Sequence, residues 1–112
     1  MDCVFCRIVS GEVNTDIVEE TNNFVAFRDV NPVAPTHILI VPKQHIDSPL
    51  SLQALGGEAL QEMFNLIEKI AKRENINKSG YRLILNNGKD AGQEIEHLHF
   101  HIIGGRKMGR LG

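Results

Sequence analysis

The run His97-Leu98-His99-Phe100-His101-Ile102-Ile103 places the strongest constraint on how this 112-residue chain folds. Imidazoles and apolar side chains alternate along it. Successive side chains of a β-strand point to opposite faces, so the spacing predicts a strand over residues 97–103. Leu98, Phe100 and Ile102 then face a core, while His97, His99 and His101 line the other surface. A rise of about 3.3 Å per residue would put His97 about 13 Å from His101, too far for one metal ion to bind all three in a regular strand. At least one imidazole therefore has separate work.

The remaining pattern supplies a sheet for that strand. Val4, Phe5, Ile8 and Val9 recur at roughly helical spacing before Gly11 and predict one or two helical turns. Residues 17–20 and 24–29, separated by Thr21-Asn22-Asn23, read as a hairpin. Asn31-Pro32-Val33-Ala34-Pro35 is a loop. His37-Ile38-Leu39-Ile40-Val41, stopped by Pro42, reads as a strand covered on both faces. Leu60, Met63, Phe64, Ile67, Ile70 and Ala71 form one helical stripe, opposite Gln61, Glu62, Glu68, Lys69 and Lys72. The pair Gly56-Gly57 separates this long helix from a short helical turn around residues 51–55. A further strand is expected over 81–86, followed by the loop Asn87-Gly88-Lys89-Asp90-Ala91-Gly92, and Gly104-Gly105 ends the last strand. Together these predict a single α+β domain over residues 1–112, a five-stranded antiparallel sheet with one long and one short helix.

Composition narrows the partners. The chain is 42% hydrophobic and 23% charged, with a formal net charge of -2, which gives no electrostatic reason for nucleic acid as a partner. Arg106, Lys107 and Arg110 are too few for a basic patch, and with no tryptophan and one tyrosine the chain lacks a stacking platform for single strands. No run approaches the roughly 18 apolar residues of a membrane span. The opening residues MDCVFCRIVS lack a secretion-signal pattern. A soluble cytoplasmic protein acting on small ligands, without membrane or nucleic acid, is the expectation.

A neutral imidazole is a good nucleophile, and its ordinary pKa near 6.5 leaves it unprotonated at cellular pH. One such group can attack phosphorus while a neighbour hydrogen-bonds the charged oxygens, which suits phosphoryl or nucleotidyl transfer. Cys3 and Cys6, the chain's two cysteines, are spaced wrongly for a disulfide framework but form half of a zinc site. Two further ligands would come from His37, His45, His97, His99 and His101. A redox role fits less well, because no thioredoxin-type βαβ unit surrounds the pair. Two ordinary buried cysteines are the alternative.

The triad strand resembles the alternating histidine pattern of the histidine triad, or HIT, superfamily. Similarity extends to Phe5 with Ile8, to Phe27-Arg28-Asp29-Val30-Asn31-Pro32, to Pro35-Thr36-His37 with Val41-Pro42-Lys43-Gln44-His45, and to residues 86–93. Gly104-Gly105-Arg106 is similar to the HINT branch, whose members hydrolyse nucleoside phosphoramidates. The resemblance implies that His99 attacks the α-phosphorus to form a nucleotidyl-histidine that water cleaves, with His101 holding phosphate oxygens and His37 facing the triad. It further implies a phosphate site at Asn86 and the backbone of Gly92, Gln93 and Glu94. Asp29 would bind ribose, and Phe5, Ile8, Phe27, Val30 and Leu39 would surround the base of a purine nucleotide such as AMP or an adenosine phosphoramidate. In metal-binding relatives the positions of His45 and His97 join the cysteines, implying a structural Zn2+ at Cys3, Cys6, His45 and His97 and no organic cofactor. The family also implies a homodimer.

Each assignment has a plainer counterpart. The apolar residues read equally as core, Asp29 as a cap on local backbone donors, and His37 as a satisfied core histidine. Glu94 departs from the family, in which many relatives carry Ser or Thr; a carboxylate beside phosphate is repelled, so its side chain is expected to turn away. Competing activities are a dinucleoside polyphosphate hydrolase, a metal-dependent hydrolase using His97 and His99, and a nucleotide-binding module without turnover.

Overall fold

The computed structural model describes residues 3–112, in the order α1 (Val4–Ser10), β1 (Ile17–Glu20), β2 (Phe24–Arg28), β3 (Thr36–Pro42), α2 (Pro49–Leu52), α3 (Gly57–Arg73), β4 (Tyr81–Leu85) and β5 (Phe100–Gly104). The strands form one antiparallel sheet in the order β1-β2-β3-β5-β4. Such a sheet, covered by one long helix and shorter ones, is the architecture expected from the sequence.

Alternation along the central strands sorts the side chains into two layers. Phe24 and Ala26 of β2, Ile38 and Ile40 of β3, and Phe100 and Ile102 of β5 join Leu98 in a core against Met63, Leu66, Ile67 and Ile70 of α3. Val25, Phe27, Leu39 and Val41 point to the opposite face, where they meet Phe5 and Ile8 of α1. This explains why β3 is buried along its whole length.

Helix α3 begins just after Gly56, whose φ of 89° ends the preceding 3-10 turn over Gln53–Leu55. It stops in a Schellman motif: Asn75, with φ 60°, donates its N–H to Lys72 and Ile76 donates to Ala71. Glu62, expected on the solvent face, is partly buried instead. Its carboxylate accepts the Asn23 N–H and the Asn23 amide, both at 2.8 Å, and the Thr21 hydroxyl, so α3 pins the β1–β2 turn. Phe64 departs from the expected stripe and is 58% exposed, because the buried face runs through Ala59, Met63, Leu66 and Ile70.

The last strand also starts later than the alternation predicts, at Phe100 rather than His97. The ladder reaches Ile40↔Phe100 and then meets Pro42, which cannot donate. The chain compensates irregularly: His97 bonds the Pro42 carbonyl through its ring and Leu98 N–H donates to Ile46. The expected strands over 24–29 and 81–86 each end one residue earlier. At the far end Gly105 has φ 91° and packs so closely on Pro35 that an added Cβ would lie 2.9 Å from a ring carbon.

Candidate active site and metal centre

The face of the sheet opposite α3 carries a cleft of about 530 Å³ between α1, the β2–β3 connection and the segment leading into β5. That volume suits a small-molecule site. Of the residues expected to contact a nucleotide, Phe5, Ile8, Phe27, Asp29, Val30, Leu39, Asn86, Gly92, Glu94, His99 and His101 all line it. Gln93 is not part of the wall; its side chain accepts the Gly88 N–H at 2.8 Å and donates to the Ile95 carbonyl at 3.0 Å, bracing the loop. His37 also lies behind the wall, buried. Glu94 is exposed and sits between the cleft and a neighbouring depression lined by Cys3, Arg7, His45 and Glu96.

The three triad histidines hold to one face but have distinct surroundings. His99 is buried and packs against the Phe5 ring, with centroids 5.1 Å apart. Its Nδ1 lies 2.8 Å from the His97 carbonyl oxygen, a contact that requires the proton on Nδ1. Nε2 therefore keeps the lone pair.

His101 takes its tautomer from His37. The Val33 N–H donates to His37 Nδ1 at 3.2 Å, which leaves the His37 proton on Nε2. That Nε2–H donates to His101 Nδ1 at 2.9 Å, so His101 carries its own proton on Nε2. Burial, reinforced by the neighbouring His99 and His37, holds the His101 pKa down to about 4 against the opposing pull of Asp29. Burial likewise lowers His37. Both rings are thus neutral at cellular pH, and His101 is a neutral donor.

Asp29 Oδ2 approaches His37 Nε2 at 3.4 Å, and its Oδ1 accepts the Asn31 N–H at 2.8 Å. The plainer reading of Asp29 as a local backbone cap is therefore part of its structure. Asp29, His37 and His101 bring one ligand atom each within 4.8 Å of one another, but the proton on His37 Nε2 occupies the position an ion would need.

Cys3, Cys6, His45 and His97 bring their ligand atoms within 4.8 Å of one another. The Sγ···Nδ1 separations are 3.4 Å for Cys3 with His97, 3.6 Å for Cys6 with His97 and 3.3 Å for Cys6 with His45. A tetrahedral ion with bonds of about 2.3 Å to sulfur and about 2.05 Å to nitrogen has a sulfur–nitrogen edge of about 3.6 Å, so the donor set fits one metal ion. His97 is also in the right tautomer: Nε2–H donates to the Pro42 carbonyl at 2.8 Å, leaving Nδ1 to face the sulfurs. Burial and the adjacent Cys3 push the Cys6 thiol up, so two thiolates here call for a cation. His97 belongs to this group and not to the cleft wall.

No site role was read from the sequence for Val4, Val13, Asn14, Thr15, Arg28, Asn31 and Ile95, which complete the cleft, although Val4 fell in the first helical pattern and Arg28 and Asn31 in the family-like stretch. Residues 13–15 come from a loop with no motif; it reaches β2 because it leads into the β1–β2 hairpin, where the Arg28 N–H donates to Asp16 at 3.0 Å. Arg28 is a cleft residue engaged elsewhere, making paired bonds of 2.8 and 2.9 Å to Glu74.

A HIT domain model matches residues 10–108. The purine nucleoside phosphoramidase of Escherichia coli strain K12 is 42% identical over 110 residues, covering 98% of this chain and 92% of that protein. A HIT family hydrolase from Legionella pneumophila shares the fold with a TM-score of 0.90 at 41% identity, covering 96% of both chains. A histidine triad protein from Clostridium difficile gives 0.91 at 43% identity, over 100% of this chain and 97% of that one. The chain belongs to the HIT domain family and is one of its hydrolases.

Proposed function

We propose that the protein hydrolyses purine nucleoside phosphoramidates at the α-phosphorus through a nucleotidyl-histidine intermediate on His99. The observation that carries this reading is the Nδ1–H bond from His99 to the His97 carbonyl, which leaves an Nε2 lone pair on a residue of the cleft wall. In the first step Nε2 bonds to phosphorus, the phosphorus–nitrogen bond of the substrate breaks, and the departing amine takes up a proton. Water then adds to phosphorus, the bond to Nε2 breaks, and the nucleoside monophosphate leaves. His101 Nε2–H hydrogen-bonds the phosphate oxygens as charge develops on them. Asn86 and the backbone of Gly92, Gln93 and Glu94 complete the phosphate site, Asp29 binds ribose, and Phe5, Ile8, Phe27, Val30 and Leu39 enclose the base. The likeness to the E. coli phosphoramidase supports the substrate class.

Cys3, Cys6, His45 and His97 would hold a structural Zn2+. Bound there, it would supply a structural cross-link between α1 and the segments of His45 and His97 rather than an activated water. A homodimer is supported by the edge strand β4, whose Tyr81, Leu83 and Leu85 are exposed on the α3 side of the sheet, as is Phe64 of α3. No described helix is long and apolar enough to cross a membrane, which is compatible with a cytoplasmic setting.

The test is turnover of adenosine 5′-phosphoramidate by the protein and by His99→Ala. The variant should lose at least about 1,000-fold in kcat while remaining folded. Undiminished turnover would remove His99 as the nucleophile.

A further inference from the structure

Two parts of the reaction cleft hang from the Cys3, Cys6, His45 and His97 cluster. The first is the nucleophile. His97 is fixed at three points: its Nδ1 faces Cys3 and Cys6, its Nε2–H is held by Pro42, and its carbonyl accepts the His99 Nδ1–H. This segment lies outside the β5 ladder, so the carbonyl that sets the His99 tautomer is held by the Leu98 N–H bond to Ile46, in the same peptide unit, together with the side-chain anchors of His97.

The second is the apolar wall. Helix α1 has seven residues, with no side-chain cap on its first turn and no acidic residue there. A helix below roughly 12 residues is marginal in water on its own, so its placement depends on what it is tied to. Cys3 at its N-cap and Cys6 in its first turn tie it to His97 and His45. Between them sits Phe5, whose ring meets His97 at 5.7 Å, His99 at 5.1 Å and Phe27 at 5.7 Å. Val4, Phe5 and Ile8 of the same helix line the cleft.

The geometry points to a coupling between this metal centre and the nucleotide cleft: Cys3, Cys6 and His45 are positioning residues for His99 and for the base wall, so metal occupancy and nucleotide affinity strengthen each other. This rests on the nucleotide reading given above. A centre that merely stabilised the fold would raise resistance to unfolding yet leave the folded cleft unchanged.

The experiment compares the full chain stripped with a chelator and reloaded with Zn2+, measuring AMP binding by calorimetry and the histidine tautomers by long-range 1H–15N correlation. His45→Ala is carried alongside; it removes one ligand that is no part of the cleft wall and keeps the other three, in case the stripped chain unfolds. AMP should bind the stripped protein and the variant at least about 5-fold more weakly than the loaded one. By the same linkage AMP should tighten Zn2+ by that factor in chelator competition, after correction for AMP's own metal binding. His99 should be a single Nδ1–H tautomer in the loaded form and a mixture in the stripped one. Equal AMP affinities with an unchanged His99 tautomer would overturn the coupling and leave the nucleotide reading intact. Zn2+ that fails to bind overturns the coupling as well. An absence of AMP binding in every form would overturn the nucleotide reading and the coupling with it.

Discussion

The two faces of the sheet solve different problems with the same strands. Toward α3, Phe24, Ile38, Ile40, Ile70 and Ile102 are fully or almost fully excluded from water in one continuous apolar core. Toward α1, the apolar layer of Val25, Phe27, Leu39 and Val41 is interrupted by His37, His99 and His101, and each imidazole has a hydrogen-bond partner that fixes its proton. The first face contributes folding free energy without specificity of charge. The second face gives up apolar burial for oriented lone pairs and donors, and it depends on the first for rigidity.

That division makes separable predictions. On the proposed function, in which His101 donates to the phosphate, His101→Ala should cost kcat about 100- to 1,000-fold, with a far smaller change in thermal stability. A loss of stability without a loss of kcat would place His101 among the packing residues. Ile70→Ala on the opposite face should do the reverse, destabilising the fold by about 2–5 kcal/mol in denaturant titration while the molecules that remain folded keep their kcat.

As pH falls below neutrality, acid should strike the α1 face first, before the carboxylates Glu19, Glu62 and Glu74 that tie α3 down, whose pKa values are lowered. His101 titrates near its ordinary 6.5 in the unfolded chain and near 4 when folded, so between these values the folded chain binds fewer protons. Stability from this group is complete above about pH 6.5 and is lost as pH falls toward 4, by about 2–3 kcal/mol. His37, lowered in the same direction by burial, adds to the loss as pH falls below 6.5. Denaturant midpoints measured at pH 7.5, 5.5 and 4.5 should fall in that order in the wild type and fall less in His101→Asn.

Most of this contrast was legible in the alternation of residues 97–103, because a period of two assigns Leu98, Phe100 and Ile102 to one face and the imidazoles to the other whether or not the ladder is regular. What the pattern missed was the ladder's end. Pairing stops where Pro42 supplies no donor, and that proline lies 55 residues away from His97 in sequence. Phe64 was misplaced for a related reason: helical periodicity defines a stripe, but which edge of it is covered depends on how α3 lies across β1, where Lys69 and Arg73 reach Glu19. The cleft residues Asn14 and Thr15 carried no motif of their own, although the β1–β2 hairpin continues past Ile17↔Phe27 through the Arg28 N–H bond to Asp16 and so brings them beside Asp29.

The most direct test of the account is to quench the enzyme during turnover of adenosine 5′-phosphoramidate and examine the intact protein and its peptides by mass spectrometry. The expected result is one adenylyl group per chain, labile in acid and mapped to His99, absent from His99→Ala. Robust turnover with no adduct on the wild type under any quench time, or an adduct on a residue other than His99, would contradict the account.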